Sequence, residues 1–234
     1  MGAALLLTVV ATASAAAPID SIGQVLELSR EAAAQGLPVR LEGTVTFADP
    51  VSRSFFIEDR GEAISMWYPD AGFPLHQGDR LRIEAVTGAG DFAPKVEIDG
   101  ARVERLEEGV RVPTSEPTLG DLVSGRLDCR SVLVRGVVRD QAVADGTLEL
   151  RLLTLLGPTR LLFAAGAAPV PMGTLVGAEV EVRATVGIDL NARRQRTGVR
   201  LYAQRLDELR VLQPPLSESA LPRLPIAELL RYHA

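Results

Sequence analysis

The sequence predicts an all-β protein with short helices, in which two five-stranded barrels follow one another along the chain. The first observation is a repeated phrase: VRLEGTVT (39–46) and VLVRGVVR (132–139) place glycine at the same position, 93 residues apart. The second is that GDRLRIEAVTG (78–88) returns as GAEVEVRATVG (177–187), 99 residues further on. Two landmarks at nearly one offset indicate a duplicated unit with the length of a small β-domain.

The composition is that of a folded protein. Hydrophobic residues make up 47% and charged residues 24% of the 234 residues, so wholesale disorder is not expected. The net charge is −5, without a block of like charge, and only 4% of the residues are aromatic. These values argue against a surface that binds phosphates or stacks bases. We therefore expect no nucleic-acid partner.

Residues 1–17 have the pattern of a secretory signal peptide or its remnant. An apolar run over 3–13 ends in small-residue steps, although no positive charge leads it. The run is too short for a confident transmembrane helix. A disordered Ala-rich tail, or a start codon assigned too far downstream, is the alternative.

Residues 18–112 are predicted to form the first barrel. The spacing of apolar residues over 22–34, after Ser21, predicts a short amphipathic helix. Apolar and polar residues then alternate over 39–47, which is the pattern of a half-buried strand. The remaining four strands are predicted at 55–57, 63–67, 78–88 and 90–106.

Residues 113–213 are predicted to form the second barrel in the same order. A helical lead at 118–127 is followed by strands at 131–138, 147–153, 159–165, 177–187 and 199–209. Prolines stiffen the connecting segment 112–117, which predicts a limited range of orientations between the barrels.

The last segment, 214–234, is predicted to be a Pro-rich linker and the start of a truncated third unit. PIAELLRY (225–232) echoes the lead segments SIGQVLEL and PTLGDL of the two barrels. A C-terminal helix that packs back on the second barrel is the alternative.

The order of elements is that of an OB-type Greek-key barrel: helical lead, strand, hairpin, strand opened by a Gly turn, and closing strand. A glycine within the first strand fits the bend or bulge that a small closed barrel needs. An immunoglobulin-like sandwich would require about seven strands per ~100 residues. Each copy supplies five, which favours the barrel.

Several phrases in the chain resemble the extracytoplasmic sensory regions of large bacterial sensor histidine kinases, which carry tandem OB-like modules after a signal peptide. The phrases are GLPVRLEGTVTFADP (36–50), FFIEDRGEAISMW (55–67), GDRLRIEAVTGAGDFAP (78–94), LVSGRLDCRSVLVRGVVRD (122–140) and ALPRLPIAELLRY (220–232). The resemblance covers nearly everything from Ile19 onward and rests on strands and turns. It implies a non-catalytic periplasmic sensory module, with downstream membrane and kinase segments as partners. A free-standing secreted or periplasmic protein that binds carbohydrate or envelope components is the alternative.

The sequence offers no constellation for catalysis, a metal or a cofactor. His76 and His233 have no partner at metal-ligand spacing, and Cys129 is the only cysteine. Glu58 and Asp59 are adjacent on a strand and therefore point to opposite faces. A small hydrolase has no supporting pattern.

The ligand face of an OB-type barrel is built from its second and third strands and the flanking loops. On the first barrel the candidate residues are Phe56, Trp67, Tyr68, Asp91, Phe92 and Lys95. Ordinary core and rim packing is the alternative role for the aromatic residues. The second copy carries Leu162, Phe163 and Ala164 on the corresponding strand, which suggests a spacer or a homodimer contact. The expected partner is a small ligand of unknown identity or a neighbouring subunit.

Overall fold

The computed structural model describes residues 17–67, 74–90, 93–144, 147–155, 157–164, 173–191, 193 and 195–217. The predicted signal segment 1–17 lies outside these ranges except for Ala17. The part of the predicted third unit from residue 218 onward also lies outside them. Among the described residues, no helix has the length and apolar character to cross a membrane.

Strands dominate both halves of the chain. The first half contains α1 (Ile22–Leu26), α2 (Arg30–Ala33), β1 (Pro38–Asp49), β2 (Ser54–Asp59), β3 (Glu62–Trp67), β4 (Arg80–Gly88) and β5 (Lys95–Glu107). The second contains β6 (Thr114–Ser115), α3 (Leu119–Ser124), β7 (Ser131–Ala144), β8 (Thr147–Thr154), β9 (Gly157–Phe163), β10 (Glu179–Leu190), β11 (Arg196–Ala203), a 3₁₀ turn (Leu206–Glu208) and β12 (Leu209–Gln213).

The strands form two barrel-like sheets. Through the β7–β10 pairing, the order β9-β8-β7-β10-β11 in the second sheet repeats the order β3-β2-β1-β4-β5 of the first. The order in the first sheet is β3-β2-β1-β4-β5, and in the second it is β12-β10-β11-β9-β8-β7-β6. The second sheet closes on itself because β10 also pairs with β7, and β11 runs parallel to β9. In the first, the described ladders leave β3 and β5 as the two edges. The prediction of an all-β chain with two OB-like five-stranded barrels is confirmed.

The predicted lead helix over 22–34 is two short helices. Ser21 caps the first, because its Oγ accepts the N–H of Gln24 at 3.3 Å. Ser29 caps the second through the N–H of Ala32 at 3.1 Å. A serine side chain that satisfies a free N–H favours a new helix start over continuation, which explains the break. Ile22 is buried in the first barrel.

The turns before the two fourth strands are equivalent at the level of single hydrogen bonds. The N–H of Gly78 donates to the Val45 carbonyl at 2.9 Å, and the N–H of Gly177 donates to the Val138 carbonyl at 2.8 Å. The two glycines have φ values of +89° and +88°, which L-residues rarely adopt. Val45 and Val138 each lie two residues after the repeated strand glycine. The duplication read from the sequence is therefore also a duplication of backbone geometry.

The repeated strand glycines permit the second strand to approach closely. A Cβ on Gly43 would lie 3.0 Å from Ile57 Cδ1, and one on Gly136 would lie 2.9 Å from the Leu153 carbonyl oxygen. A register shift follows each glycine, at 45/47 in β1 and at 138/140 in β7. The bend predicted from these glycines is present in both barrels.

Each barrel has its own hydrophobic core. The first core contains Ile22, Val25, Val39, Leu41, Val45, Phe55, Ile57, Leu81 and Ile83, and the second contains Val132, Val138, Leu150, Leu152, Leu161, Phe163, Val180, Val182 and Leu201. A third buried cluster joins residues of both barrels and forms the junction described below.

Candidate functional site

Strand β2 of the first barrel is buried on both faces. Phe55 and Ile57 point into the core of the first barrel and are fully buried. Phe56 and Glu58 point the opposite way, as strand alternation requires, yet they are only 7% and 6% exposed. The outer face on which a ligand was expected is covered by the second barrel.

Three aromatic rings form the centre of this junction. Phe47 and Phe56 of the first barrel lie 5.5 Å apart between ring centroids, and both contact Tyr202 of β11, at 4.9 and 5.6 Å. Buried Cys129 and Ala164 of the second barrel complete the cluster. Burial raises the pKa of the Tyr202 hydroxyl. Such tilted ring contacts stabilise by about 0.5–1.5 kcal/mol beyond the area they bury.

Backbone groups of β1 are hydrogen-bonded across the junction. The Gln204 amide accepts the Ala48 N–H at 2.8 Å and donates to the Ala48 carbonyl at 2.9 Å. The Thr46 hydroxyl donates to the Cys129 carbonyl at 2.7 Å, and the Thr185 hydroxyl donates to the Thr46 carbonyl at 2.9 Å. Both threonines are fully buried. Direct hydrogen bonds therefore fix the position of β1 against the second barrel.

One charged pair also crosses the junction. Arg130 Nε lies 3.5 Å from Glu58 Oε1, and the Glu58 side chain is 5% exposed. Glu58 Oε2 is buried and accepts no hydrogen bond from the described residues. Burial raises the pKa of the Glu58 carboxyl, and the nearby Arg130 only partly opposes this shift. The buried Cys129 thiol likewise has its pKa raised, chiefly by burial.

The structure separates the residues of the predicted ligand face. Phe56 contacts the second barrel, whereas Trp67 is 66% exposed at the end of β3. Lys95 begins β5, and its Nζ lies 2.9 Å from Glu97 Oε1. Tyr68, Asp91 and Phe92 lie outside the described residues. Three of the six candidates lie among the described residues, and of these Trp67 and Lys95 are accessible to solvent.

The corresponding face of the second barrel is open and carries a row of arginines, which we call the arginine face. Arg151 on β8 is the direct partner of Arg160 on β9, and Arg160 is the direct partner of Arg200 on β11. Their side chains are 68%, 47% and 31% exposed. Three cationic side chains thus lie side by side across three adjacent strands.

Each of these arginines has a carboxylate neighbour. Arg160 makes two parallel hydrogen bonds of 2.8 Å to Glu149, which lower the pKa of that carboxyl. This two-pronged geometry is the strongest form of the Arg–carboxylate pair. The other two pairs are Arg151–Asp140 and Arg200–Asp189. On the arginine face, each guanidinium group is therefore positioned by a neighbouring carboxylate.

The residues that follow the matched bulges explain why the outer face of the first barrel is covered and that of the second is open. After the bulge in the first barrel, Phe47 lies opposite Phe56; after the bulge in the second, Asp140 lies opposite Arg151. An apolar pair in one copy is thus an ion pair in the other. Burying apolar rings lowers the free energy of the protein, whereas burying charged groups raises it.

The apolar residues predicted on the third strand of the second barrel do not form an exposed surface. Phe163 belongs to the core of that barrel, and Ala164 lies in the junction. The arginine face is not among the predicted site residues. The signal was available, because alternation in TLELRLL and TRLLF already places Arg151 and Arg160 opposite the buried leucines.

A surface groove of about 400 Å³ lies beside the lead helix of the second barrel. Its apolar lining includes Leu119, Leu133 and Leu155. Leu119 is 54% exposed, whereas Ile22, which follows the cap of the first lead helix in the same way, is 2% exposed. The first residue of the second lead helix is therefore packed less completely than its counterpart in the first.

The described residues contain no group of three or more His, Cys, Asp or Glu side chains placed to hold a metal ion. His76 is largely exposed, with Nδ1 3.8 Å from Asp79 Oδ2. Asp79 also accepts the His76 backbone N–H at 2.9 Å, which is the geometry of a turn.

No protein-family model matches the chain, and no curated protein sequence matches it. Solved structures match its fold. A HINa domain of Ifi202 in complex with 20-bp dsDNA aligns over 76% of this chain and 96% of that chain, with 8% identity and a TM-score of 0.33. Fission yeast Pot1 with ssDNA aligns over 86% and 89%, with 10% identity and a TM-score of 0.31.

A third match, described as an aspartyl-tRNA synthetase from Leishmania major Friedlin, aligns over 48% of this chain but only 23% of that chain. The identity is 14% and the TM-score is 0.33. At such identities the likeness concerns the fold alone.

The expectation that nucleic acid is excluded as a partner is wrong. It rests on net charge and aromatic content, whereas structures of similar fold include complexes with double-stranded and single-stranded DNA. The physical reason is that net charge describes the whole chain, while binding depends on the local field of one face. On the arginine face three cationic side chains lie side by side, each next to a carboxylate, and the net charge of the chain does not describe that arrangement.

Proposed function

We propose that this chain is a non-catalytic binding module that holds an anionic ligand on the arginine face of its second barrel. The row formed by Arg151, Arg160 and Arg200 carries the proposal. Like charges directly opposite one another destabilise a sheet. Asp140, Glu149 and Asp189 offset this repulsion in part, and an anionic ligand that bridges the three guanidinium groups would offset it further.

The geometry of the face supports an anion with carboxylate or phosphate groups. The guanidinium groups are oriented by their carboxylate partners, so little side-chain entropy remains to be lost on binding. Exposed ion pairs contribute about 0–1 kcal/mol each. Arg151–Asp140 is the most exposed of the three pairs, at 68% and 57%, so an incoming phosphate or carboxylate can replace Asp140 there at low cost.

The contrast between the barrels supports the choice of the second one. Ligands of OB-type barrels lie on the second and third strands. In the first barrel that face is buried against Tyr202 and Cys129. On the equivalent strands β8 and β9 of the second barrel, the outer face leaves Arg151 and Arg160 exposed.

Fluorescence anisotropy with two labelled probes tests the proposal: a single-stranded oligonucleotide of about 15 nucleotides, and a sulfated oligosaccharide. We expect saturable binding of at least one probe, and loss of that binding in the triple variant R151Q/R160Q/R200Q. The matched control is R40Q, since Arg40 is an exposed strand arginine paired with Glu84 at 3.5 Å on the first barrel. If neither probe binds, or R40Q loses binding equally, the proposal fails.

The setting that we propose for this module is the extracytoplasmic sensory region of a membrane-bound histidine kinase, with the ligand biasing the downstream segments. The sequence phrases that resemble such regions support this setting. A free-standing carbohydrate- or envelope-binding protein is the alternative. Reading the genomic DNA after the codon for Ala234 separates them: an open frame that continues into a membrane span and kinase motifs supports the sensor, and a stop codon contradicts it.

A further inference from the structure

The junction contains one group whose partners are incomplete. The backbone of Ala48 and the hydroxyls of Thr46 and Thr185 are all hydrogen-bonded across it. Glu58, by contrast, has one oxygen 3.5 Å from Arg130 Nε and the other buried without a described donor. A buried carboxylate that lacks hydrogen bonds costs several kcal/mol, whereas a protonated carboxyl costs much less.

We propose that Glu58 is a proton-sensitive latch, which holds the two barrels together more tightly when its carboxyl is protonated than when it is ionised. Opening the junction returns Glu58 to water, where the charged form is well solvated. Closing it buries the same group beside Arg130 of the second barrel. The closed state therefore binds the proton more tightly than the open state, and by linkage the proton favours closure.

The neighbouring segments carry several charged or titratable groups. The segment before β7 carries Asp128, Cys129 and Arg130, β11 carries Arg196, Arg200 and Tyr202, and β1, the strand paired with β2, carries Arg40, Glu42 and Asp49. The turn after Glu58 carries Asp59 and Arg60, which pair with each other at 3.6 Å, and β3 carries the exposed Glu62. Of these groups, Arg130 shifts the pKa of Glu58, and it opposes the larger effect of burial.

Burial and the Arg130 charge together set the direction in which closure of the junction depends on pH. Because burial raises the pKa of Glu58 above its ordinary value, the closed state keeps its proton at a pH where the open state has lost it. Closure is therefore most favourable below the ordinary pKa of Glu58. It weakens as the pH rises through the raised pKa, and it stays at a constant lower level above it.

The amide of Ala48 reports closure directly, because its N–H donates to Gln204 across the junction. Hydrogen exchange of this amide, corrected for the intrinsic pH dependence, gives the equilibrium constant for opening. We expect its protection factor to fall as the pH rises through the titration of Glu58, by tenfold for each unit of raised pKa. The amide of Val138, bonded to Ala178 inside the second barrel, serves as the internal reference and should not follow this titration.

Three variants make the test decisive. E58Q should keep high protection of Ala48 at every pH, as if permanently protonated. R130M should move the fall in protection to higher pH, because the cation that opposes the shift is gone. E107Q, which removes an exposed carboxylate at the end of β5, should behave like the wild-type chain. The proposal is overturned if wild-type protection is independent of pH, or if E58Q retains the wild-type pH profile.

Discussion

Gln204 pairs with Ala48 as a neighbouring β-strand would, although 156 residues separate them in sequence. Its Oε1 accepts the Ala48 N–H at 2.8 Å and its Nε2 donates to the Ala48 carbonyl at 2.9 Å. One side-chain amide thus satisfies both backbone groups of a residue at the edge of the junction. The match requires a donor and an acceptor side by side on one planar group, which the amide of Gln supplies.

Replacement of Gln204 by Glu should destabilise the protein by about 1–3 kcal/mol. The carboxylate keeps the acceptor for the Ala48 N–H but loses the donor, and it places a negative charge against the Ala48 carbonyl. Urea unfolding monitored by the single tryptophan measures the change. Q35E is the matched control, since Gln35 is exposed after α2 and should change stability by less than about 0.5 kcal/mol. Equal losses in the two variants would contradict a role for the amide.

Truncation of Phe56 to Ala should cost about 3–5 kcal/mol, the range for a buried aromatic residue. Phe56 is 7% exposed and contacts Phe47 and Tyr202, so its loss leaves a cavity between the barrels. W67A is the control, because Trp67 is a larger aromatic residue that is 66% exposed. Thermal unfolding followed by circular dichroism should rank F56A far below W67A. The reverse ranking would mean that Trp67, not Phe56, is the buried anchor.

Replacement of Gly136 by Ala should destabilise the second barrel by about 1–3 kcal/mol. The added Cβ would lie 2.9 Å from the Leu153 carbonyl oxygen, which is backbone and cannot rotate away. G120A in α3 is the control, because a Cβ there meets nothing closer than 3.7 Å and alanine favours the helix. Chemical denaturation should show a loss for G136A and no loss, or a small gain, for G120A.

The repeated glycines and Gly-turn strands predicted the duplication, the strand order and the bend, because these features depend on local backbone geometry. The copies also exchange charges at one equivalent site. Glu42 binds Arg82 at 2.7 Å beside the first glycine, and Arg135 binds Glu181 at 2.7 Å beside the second. A residue-by-residue comparison of the two copies counts these positions as mismatches, because the charges are reversed. The strand register shows that the ion pair itself is kept.

The junction could not be read from the sequence, because it depends on which face of one barrel meets the other. Phe56 was correctly placed on the outer face of β2, yet periodicity cannot tell a ligand from a neighbouring barrel as the group that covers it. A related limit applies to Arg200. Alternation places Arg151 and Arg160 on the outer face, and the β8–β9 pairing makes them partners, whereas Arg200, 49 residues after Arg151, joins them only through the parallel β9–β11 pairing.

Replacement of Glu58 by Gln should stabilise the protein at neutral pH and have little effect in acid. Once the pH exceeds the raised pKa, the wild-type chain buries an ionised carboxyl, and glutamine removes the cost of that burial. The gain is about 1.4 kcal/mol per unit of raised pKa. It is lost as the pH falls below the ordinary pKa, because the wild-type carboxyl is then protonated in both states. Urea midpoints at two pH values check this, and a gain that persists unchanged in acid would exclude the ionisation as its cause.

Single substitutions on the arginine face should lower the salt dependence of oligonucleotide binding, if the oligonucleotide is the probe that binds. A single-stranded chain that contacts three cationic groups should show a log–log salt slope of about −2, since each phosphate contact contributes about 0.7. R160Q should therefore reduce the slope by about 0.7 and weaken binding at low salt more than at high salt. R40Q, on the first barrel, should leave the slope unchanged. A slope that R160Q does not alter would show that Arg160 makes no phosphate contact, because counterion release counts the charges that the ligand actually meets.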